Sequence, residues 1–125
     1  MPTINTKYHR RLTTIDLDED IVYVKSDMKP LSGIVYNDGE YPYEINYKEG
    51  KNHGTGICWY SNGQVWSEKN YNKGLLHGTS RLWYENGIQQ DEEKHENGNR
   101  IYKRSWEKDG SEIDASDPNF KWLFE

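Results

Sequence analysis

The sequence contains few of the residues that build a thick aliphatic core. Leu, Ile, Val and Phe are scarce, whereas five Trp and ten Tyr supply much of the apolar content. Disordered chains are poor in aromatic residues, so we expect the body of this chain to fold. Because rings cover area rather than filling a deep interior, the composition favours a thin structure.

Cysteine is almost absent, since Cys58 is the only one. It cannot form an intrachain disulfide or a multi-cysteine zinc cluster, which agrees with a reducing, cytoplasmic location. Residues 1–12 are polar and lack the apolar segment of a secretory signal, so we expect none. The sequence contains no run of eighteen apolar residues, and we expect no transmembrane helix.

Positive charge is in deficit, with a net charge of −5 and a sequence pI near 5.4. Proteins that bind nucleic acid usually show a basic footprint, so we predict no nucleic-acid partner. A basic protein partner is compatible with this balance. Negative charge concentrates in residues 85–97 and 107–125. These stretches are either an ordinary solvated surface or a docking face for a basic protein.

The stretch from residue 50 to residue 97 repeats itself with a period of twenty-four residues. A fixed period of this size indicates a repeat architecture. Nine positions are identical between the two copies, far above chance. The identical pairs are Gly50/Gly74, His53/His77, Gly54/Gly78, Thr55/Thr79, Trp59/Trp83, Tyr60/Tyr84, Asn62/Asn86, Gly63/Gly87 and Glu68/Glu92.

Each unit carries two turn signals about ten residues apart, which fits two strands per unit. One signal is an Asn-Gly or Asp-Gly step, in which Gly supplies a positive φ. These steps end at Gly39, Gly63, Gly87 and Gly110, whereas Gly50, Gly74 and Gly98 mark the connections between units. We therefore predict an all-β fold, an antiparallel meander of about four β-hairpin repeats over residues 31–112.

The flanking segments complete a single domain of residues 1–125. Residues 1–30 form the predicted N-terminal strands and lead-in, with Ile21–Val24 as a strand. Residues 113–125 form a predicted capping tail. Within it, the signal from Asp114 to Pro118 predicts a short helix over residues 119–124, which would cover the open sheet edge.

The unit Gly-x-x-His-Gly-Thr…Trp-Tyr-x-Asn-Gly resembles the bacterial variant of the MORN repeat, found in YwqK-type antitoxin or immunity proteins. The stretch from Tyr23 to Gly33 resembles the lead-in of those proteins, and the resemblance covers about residues 21–112. It implies β-hairpin repeats in an elongated twisted sheet, and a role in neutralising a toxin. The chain departs from the pattern in its first unit, where Gly33 lies only three residues before Tyr36, and in its last unit, which lacks the His-Gly step.

The histidines and the cysteine invite a catalytic or metal interpretation that spacing disfavours. His53 and His77 fall on equivalent positions of successive hairpins, ~10 Å apart, too far for one ion with ~2.1 Å bonds. We interpret both as supports for the turns between hairpins. Cys58 lies in a strand and is interpreted as a small packed residue. Catalytic motifs are missing, so we predict a non-enzymatic protein with no metal and no cofactor.

Exposed rings and acidic side chains are the candidate partner-binding residues, because Trp and Tyr dominate interface energetics. The alternative for Trp59 and Trp83, which are repeat positions, is packing between hairpins. Trp66 is replaced by Gln90 in the next unit, so the repeat does not require it. The candidates are Trp59, Trp66, Trp83, Tyr84 and Trp106, with Asp91, Glu92 and Glu93 as electrostatic partners.

The leading hypothesis is a protein-binding module that occludes a cognate toxin with an aromatic and acidic sheet face, which would suit a basic toxin. One alternative is a phage or mobile-element protein that inhibits a host defence effector. Another is a peripheral membrane or scaffold module, against which the acidic balance counts, because anionic membranes attract clustered Lys and Arg. An enzyme is a further alternative for which no constellation of residues is visible.

Overall fold

The structure, a computed structural model, describes residues 7–16 and 21–114. This part of the chain is predominantly β, which confirms the predicted all-β class. A 3-10 turn spans Arg10–Leu12. The strands are β1 (Lys7–His9), β2 (Thr13–Asp16), β3 (Ile21–Val24), β4 (Gly33–Asn37), β5 (Tyr43–Lys48), β6 (Lys51–Trp59), β7 (Val65–Asn72), β8 (Leu75–Leu76), β9 (Gly78–Trp83), β10 (Gln89–Glu96), β11 (Asn99–Trp106) and β12 (Glu112–Ile113).

Ten of these strands form one large sheet in the order β1-β4-β5-β6-β7-β9-β10-β11-β12, with β8 also paired to β7. From β4 onward every pairing is antiparallel, so the predicted meander is present over this part. The prediction is wrong at the first edge, where β1 pairs with β4 in parallel. The reason is that β2 and β3 form a separate two-stranded sheet between them. The helix predicted over residues 119–124 lies outside the described residues.

Two kinds of turn alternate along the meander, and each kind lies at one of the two ends of the strands. Two-residue turns join β5 to β6, β7 to β8 and β10 to β11. In each, a non-Gly residue at φ near +50° precedes a Gly at φ between +81° and +88°, the signature of a type I′ turn. These turns are Glu49-Gly50, Lys73-Gly74 and Asn97-Gly98. We call this edge the turn side of the sheet.

Five-residue loops form the opposite edge, which we call the loop side. In the loop after β6, the Tyr60 amide donates to the Gln64 carbonyl at 2.8 Å, and the Asn62 side chain accepts from the Gln64 amide at 2.9 Å. The predicted positive φ is found at Gly63, Gly87 and Gly110. It is absent at Gly39, in the five-residue loop from β4 to β5.

The hydrophobic core of the described residues lies where β3 and the segment after it pack against the start of the sheet. Val22, Leu31 and Val35 are buried, and Leu31 is fully enclosed. A chain of backbone hydrogen bonds fixes the contact: Gly50 donates to Leu31 at 2.7 Å, Leu31 to Val22 at 2.9 Å, and Val22 to Gly50 at 2.8 Å. Four partly buried residues complete the cluster, namely Tyr8, Val24, Tyr43 and Tyr47.

Gly50 and Gly74 occupy matched turn positions, yet only Gly50 is enclosed. A Cβ added at Gly50 would overlap the Ile21 side chain and lie 2.9 Å from the Val22 carbonyl oxygen, whereas at Gly74 the nearest atom is 3.8 Å away. In both Gly→Ala variants, the left-handed backbone should lower the free energy of unfolding by ~1–2 kcal/mol. Gly50→Ala should lose about 1–3 kcal/mol more through overpacking. Urea unfolding measures the difference, and equal losses would contradict this assignment of the core.

Candidate functional site

The large sheet has two faces, because side chains alternate along each strand. Residues aligned across neighbouring strands share a face. The core face carries the aligned row Tyr43, Cys58, Ser67, Leu82, Asp91, Ser105 and Ile113. The ladder face carries the aligned row Glu44, Ile57, Glu68, Arg81, Glu92 and Arg104.

Opposite charges alternate along the ladder face from Glu68 to Arg104. Arg81 Nε lies 3.3 Å from Glu92 Oε2, and Arg104 Nε lies 2.9 Å from Glu112 Oε1. The Arg104 guanidinium, chiefly through its hydrogen bond, holds the pKa of Glu112 below its usual range. Cross-strand pairs of opposite charge stabilise a sheet modestly. The ladder therefore neutralises much of its own charge.

Glu92 is the most heavily engaged acid of the ladder face. The Tyr102 hydroxyl donates to Glu92 Oε1 at 2.9 Å, and Arg81 contacts the other oxygen. The Tyr102 hydroxyl, helped by Gln89 and Arg81, holds the pKa of Glu92 below its usual range against the opposing effect of burial. The same hydrogen bond raises the pKa of Tyr102. Glu92 thus already has partners within the sheet.

Asp91 and Glu93 lie on the core face, opposite to Glu92, because consecutive strand residues alternate. Asp91 accepts a hydrogen bond from the Ser105 hydroxyl and lies 3.9 Å from Lys103 Nζ. Glu93 lies 3.4 Å from Arg100 Nη1. The three acids therefore do not share one face of the sheet, and a role for each in partner binding stays a prediction.

The tryptophans of the described residues gather on the loop side of the sheet. Trp59, Trp83 and Trp106 are the last residues of β6, β9 and β11, and Trp66 is the second residue of β7. Antiparallel pairing brings these strand ends to the same edge. Trp59, Trp83 and Trp106 are partly buried, and the Arg104 guanidinium lies 5.1 Å from the centre of the Trp106 ring. We call Trp59, Trp66, Trp83 and Trp106 the tryptophan rim.

Trp66 is the most exposed member of the tryptophan rim, at 43%. It falls where the pairing of β6 with β7 shifts by one residue, so it sits in a β-bulge. Gln90 falls at the equivalent shift between β9 and β10. The Trp66 ring is tilted against the Tyr60 ring, with their centres 6.1 Å apart. The bulge therefore accepts either residue type, and the indole is not a requirement of the fold.

Tyr84, a candidate partner-binding residue, also makes a hydrogen bond to the following repeat unit. Its hydroxyl donates to the Trp106 carbonyl at 2.7 Å, and the Tyr60 hydroxyl donates to the Trp83 carbonyl at 2.6 Å. The Asn62 and Asn86 amides reach the next loop in the same way, at 3.3 Å and 3.0 Å. The repeated Tyr and Asn therefore tie each unit to the following one.

His53 and His77 support turns, as the sequence predicts, but the turn belongs to the following unit. His53 Nδ1 accepts from the Lys73 amide and His77 Nδ1 from the Asn97 amide, both at 3.2 Å. In the compressed first unit the Ser32 hydroxyl accepts from the Glu49 amide at 2.9 Å. Sequence reasoning missed Ser32, although its position before Gly33 matches the His-Gly step. No group of three potential metal-binding side chains occurs in residues 7–16 and 21–114.

Cys58 is partly buried on the core face, and this burial raises the pKa of its thiol, with a smaller opposing effect of Lys69. A raised pKa disfavours the reactive thiolate. The geometry therefore agrees with the interpretation of Cys58 as a packed residue.

A cavity of about 410 Å³ on the turn side is a feature that sequence reasoning missed. It is lined by Lys48, Glu49, Lys51, His53 and Lys73. The three lysines stand close to two predicted turns, which is the signal that could have indicated the cavity. We call it the basic turn cavity.

Removal of the Glu92 charge tests the ladder face through its pH dependence. A lowered pKa in the folded state means that ionised Glu92 stabilises the protein at neutral pH, and that this stabilisation disappears as pH falls below the ordinary value of 4.5. Glu92→Gln should cost about 1 kcal/mol at pH 7, and the difference from wild type should shrink by pH 3. Tyr102→Phe should show the same trend. A deficit that does not change with pH would contradict the assignment.

Within the described residues, no helix is long and apolar enough to cross a membrane. No family model, curated protein or solved structure matches the chain.

Proposed function

We propose that this protein is a non-enzymatic protein-binding module that contacts its partner through the tryptophan rim. The observation that carries the proposal is the exposed Trp66 indole, set at a bulge where the other copy of the repeat carries Gln90. Exposed Trp side chains are enriched among the residues that dominate binding energy at protein interfaces. A large exposed ring that the scaffold does not need is best explained by a partner that covers it.

The other members of the tryptophan rim support this proposal by extending the apolar edge along the loop side. Trp59, Trp83 and Trp106 lie at the ends of alternate strands of the sheet and are only partly buried. Tyr41, in the loop before β5, adds a ring that is 56% exposed. A line of partly covered rings around one more exposed indole resembles the anatomy of an interface, in which surrounding contacts exclude water from a central anchor.

The ladder face beside the tryptophan rim would supply specificity more than affinity. Its charges are already paired with one another, as Arg81 is with Glu92 and Arg104 with Glu112. A partner would therefore have to match an alternating pattern rather than a block of negative charge. Complementary patterns of this kind select the correct partner and its register.

The biological form that we propose is an antitoxin or immunity-type inhibitor that occludes a cognate toxin. Its support is the resemblance of the repeat to the bacterial MORN variant, together with the net charge of −5, which suits a basic partner. Inhibition of a host defence effector by a phage or mobile element would use the same surface.

Trp66→Gln tests this function, because it installs the residue that the next unit carries at the same bulge. The tagged protein, expressed in its native host, should recover one stoichiometric partner. Trp66→Gln should weaken the purified complex about 30-fold, as expected for an anchor worth ~2 kcal/mol. Binding is measured by calorimetry, and the folded state by circular dichroism during thermal unfolding.

Leu75→Lys is the matched control for Trp66→Gln. Leu75 is 50% exposed and lies on the turn side. The variant gives it the side chain of Lys51, the equivalent residue of the preceding unit. This variant should bind the partner as wild type does. Loss of the folded signal in Trp66→Gln would show that the indole is core. Equal weakening by both variants, or recovery with liposomes in place of a protein, would refute the proposed site.

A further inference from the structure

We propose that the basic turn cavity is a second binding site, which accepts the carboxylates of an acidic protein segment. The cavity lies on the turn side of the sheet, at the opposite ends of the strands from the tryptophan rim. It is therefore independent of the contact proposed for Trp66. The inference stands on the arrangement of Lys48, Lys51 and Lys73 and on the repeat itself.

Lys48 and Lys51 face each other directly across the pairing of β5 with β6. Like charges at directly opposed positions of a sheet are destabilising. Lys51 also extends over the next turn, because its Cδ lies 3.8 Å from the point where a Cβ on Gly74 would stand. Lys73, the residue before Gly74, lines the same cavity. Three lysines thus line one cavity, and none of them makes an ion pair with another described residue.

His53 adds a fourth donor whose orientation is fixed by the fold. Its Nδ1 accepts the hydrogen bond from the Lys73 amide. A neutral imidazole that accepts at Nδ1 carries its proton at Nε2, so the ring offers an N–H on its other side. Apart from the Glu49 carboxylate, the charged and imidazole groups that line the cavity are donors or cations.

The next unit shows that the scaffold does not need these lysines. At the matching positions it carries Asn72, Leu75 and Asn97 in place of Lys48, Lys51 and Lys73, while His77 keeps the place of His53. Both units build the same type I′ turn. The repulsion between Lys48 and Lys51 is therefore a cost that this unit carries and the other avoids. Local conflicts that the fold does not require are typical of functional sites.

The chemistry of the lining favours an extended acidic segment over one compact anion. Three lysines against Glu49 leave a local positive charge in a chain whose net charge is −5. A peptide with several carboxylates can spread them among the lysines and place a backbone N–H beside Glu49. A single phosphate group could engage only part of this lining, which also includes Glu49. Because Lys48, Lys51 and Lys73 are exposed, binding should depend strongly on salt.

The direct test is a titration of the purified protein with a fluorescent hexaglutamate peptide at low ionic strength. The backbone amide signals of residues 48–53 and 72–74 should shift in NMR spectra. The double variant Lys48→Asn/Lys51→Leu, which copies the next unit, should bind about tenfold more weakly. It should unfold at the same or a higher urea concentration than wild type, because it removes the repulsion between the two lysines.

The reciprocal variant Asn72→Lys/Leu75→Lys should gain a second site and bind more peptide. It keeps the proposal testable if the first variant folds poorly. Peptide binding that is unchanged in Lys48→Asn/Lys51→Leu, or shifts spread over unrelated residues, would overturn the site. Displacement of the peptide by inorganic phosphate at lower concentration would overturn the ligand class. Peptide binding and the NMR shifts are measured without the partner that tests Trp66→Gln, so either proposal can fail while the other holds.

Discussion

The structure depends on the way each turn is held by the unit before it. The amides of Gly50, Gly74 and Gly98 donate to carbonyls of the preceding unit at 2.7–2.8 Å. The amide just before each Gly donates to a Ser or His side chain of that same unit. A type I′ turn needs two residues at positive φ, which is costly for Glu49 and Lys73 and well tolerated by Asn97. The repeated hydrogen bonds compensate for that strain, and they couple neighbouring units as in other repeat proteins.

This coupling separates residues that hold the repeat units together from residues that are free to vary. Residues that both copies share, such as His53 and Tyr60, are engaged in contacts with the next unit. Residues that differ between copies, such as Trp66 and Lys51, lie exposed on the two edges of the sheet. The two proposed sites therefore occupy opposite ends of the same strands. The scaffold can tolerate changes in either without losing the bonds that hold the units together.

The predictable part of the fold followed from local signals repeated at a fixed spacing. Asn-Gly steps and alternating strands located the hairpins, and the spacing of His53 and His77 indicated their structural role. The parallel pairing of β1 with β4 joins residues about twenty-seven positions apart and has no local signal. The separation of Glu92 from Asp91 and Glu93 follows from alternation. The partners of these acids, Tyr102 for Glu92, Arg100 for Glu93 and Lys103 for Asp91, depend on the register of β10 with β11. The basic turn cavity likewise needs two turns to meet in space.

The bond from Gly50 to Leu31 has a further meaning for how such a chain is assembled. The later turns find their acceptors at Asn52 and Leu76, within strands of the meander, whereas the first turn finds its acceptor at Leu31, just ahead of β4. The segment of Val22 and Leu31 therefore holds the first left-handed turn in place. A twenty-four-residue unit inserted behind Gly50 could use bonds of the kind that Gly74 and Gly98 make, whereas a unit inserted ahead of Gly50 would have to replace its contacts with Val22 and Leu31.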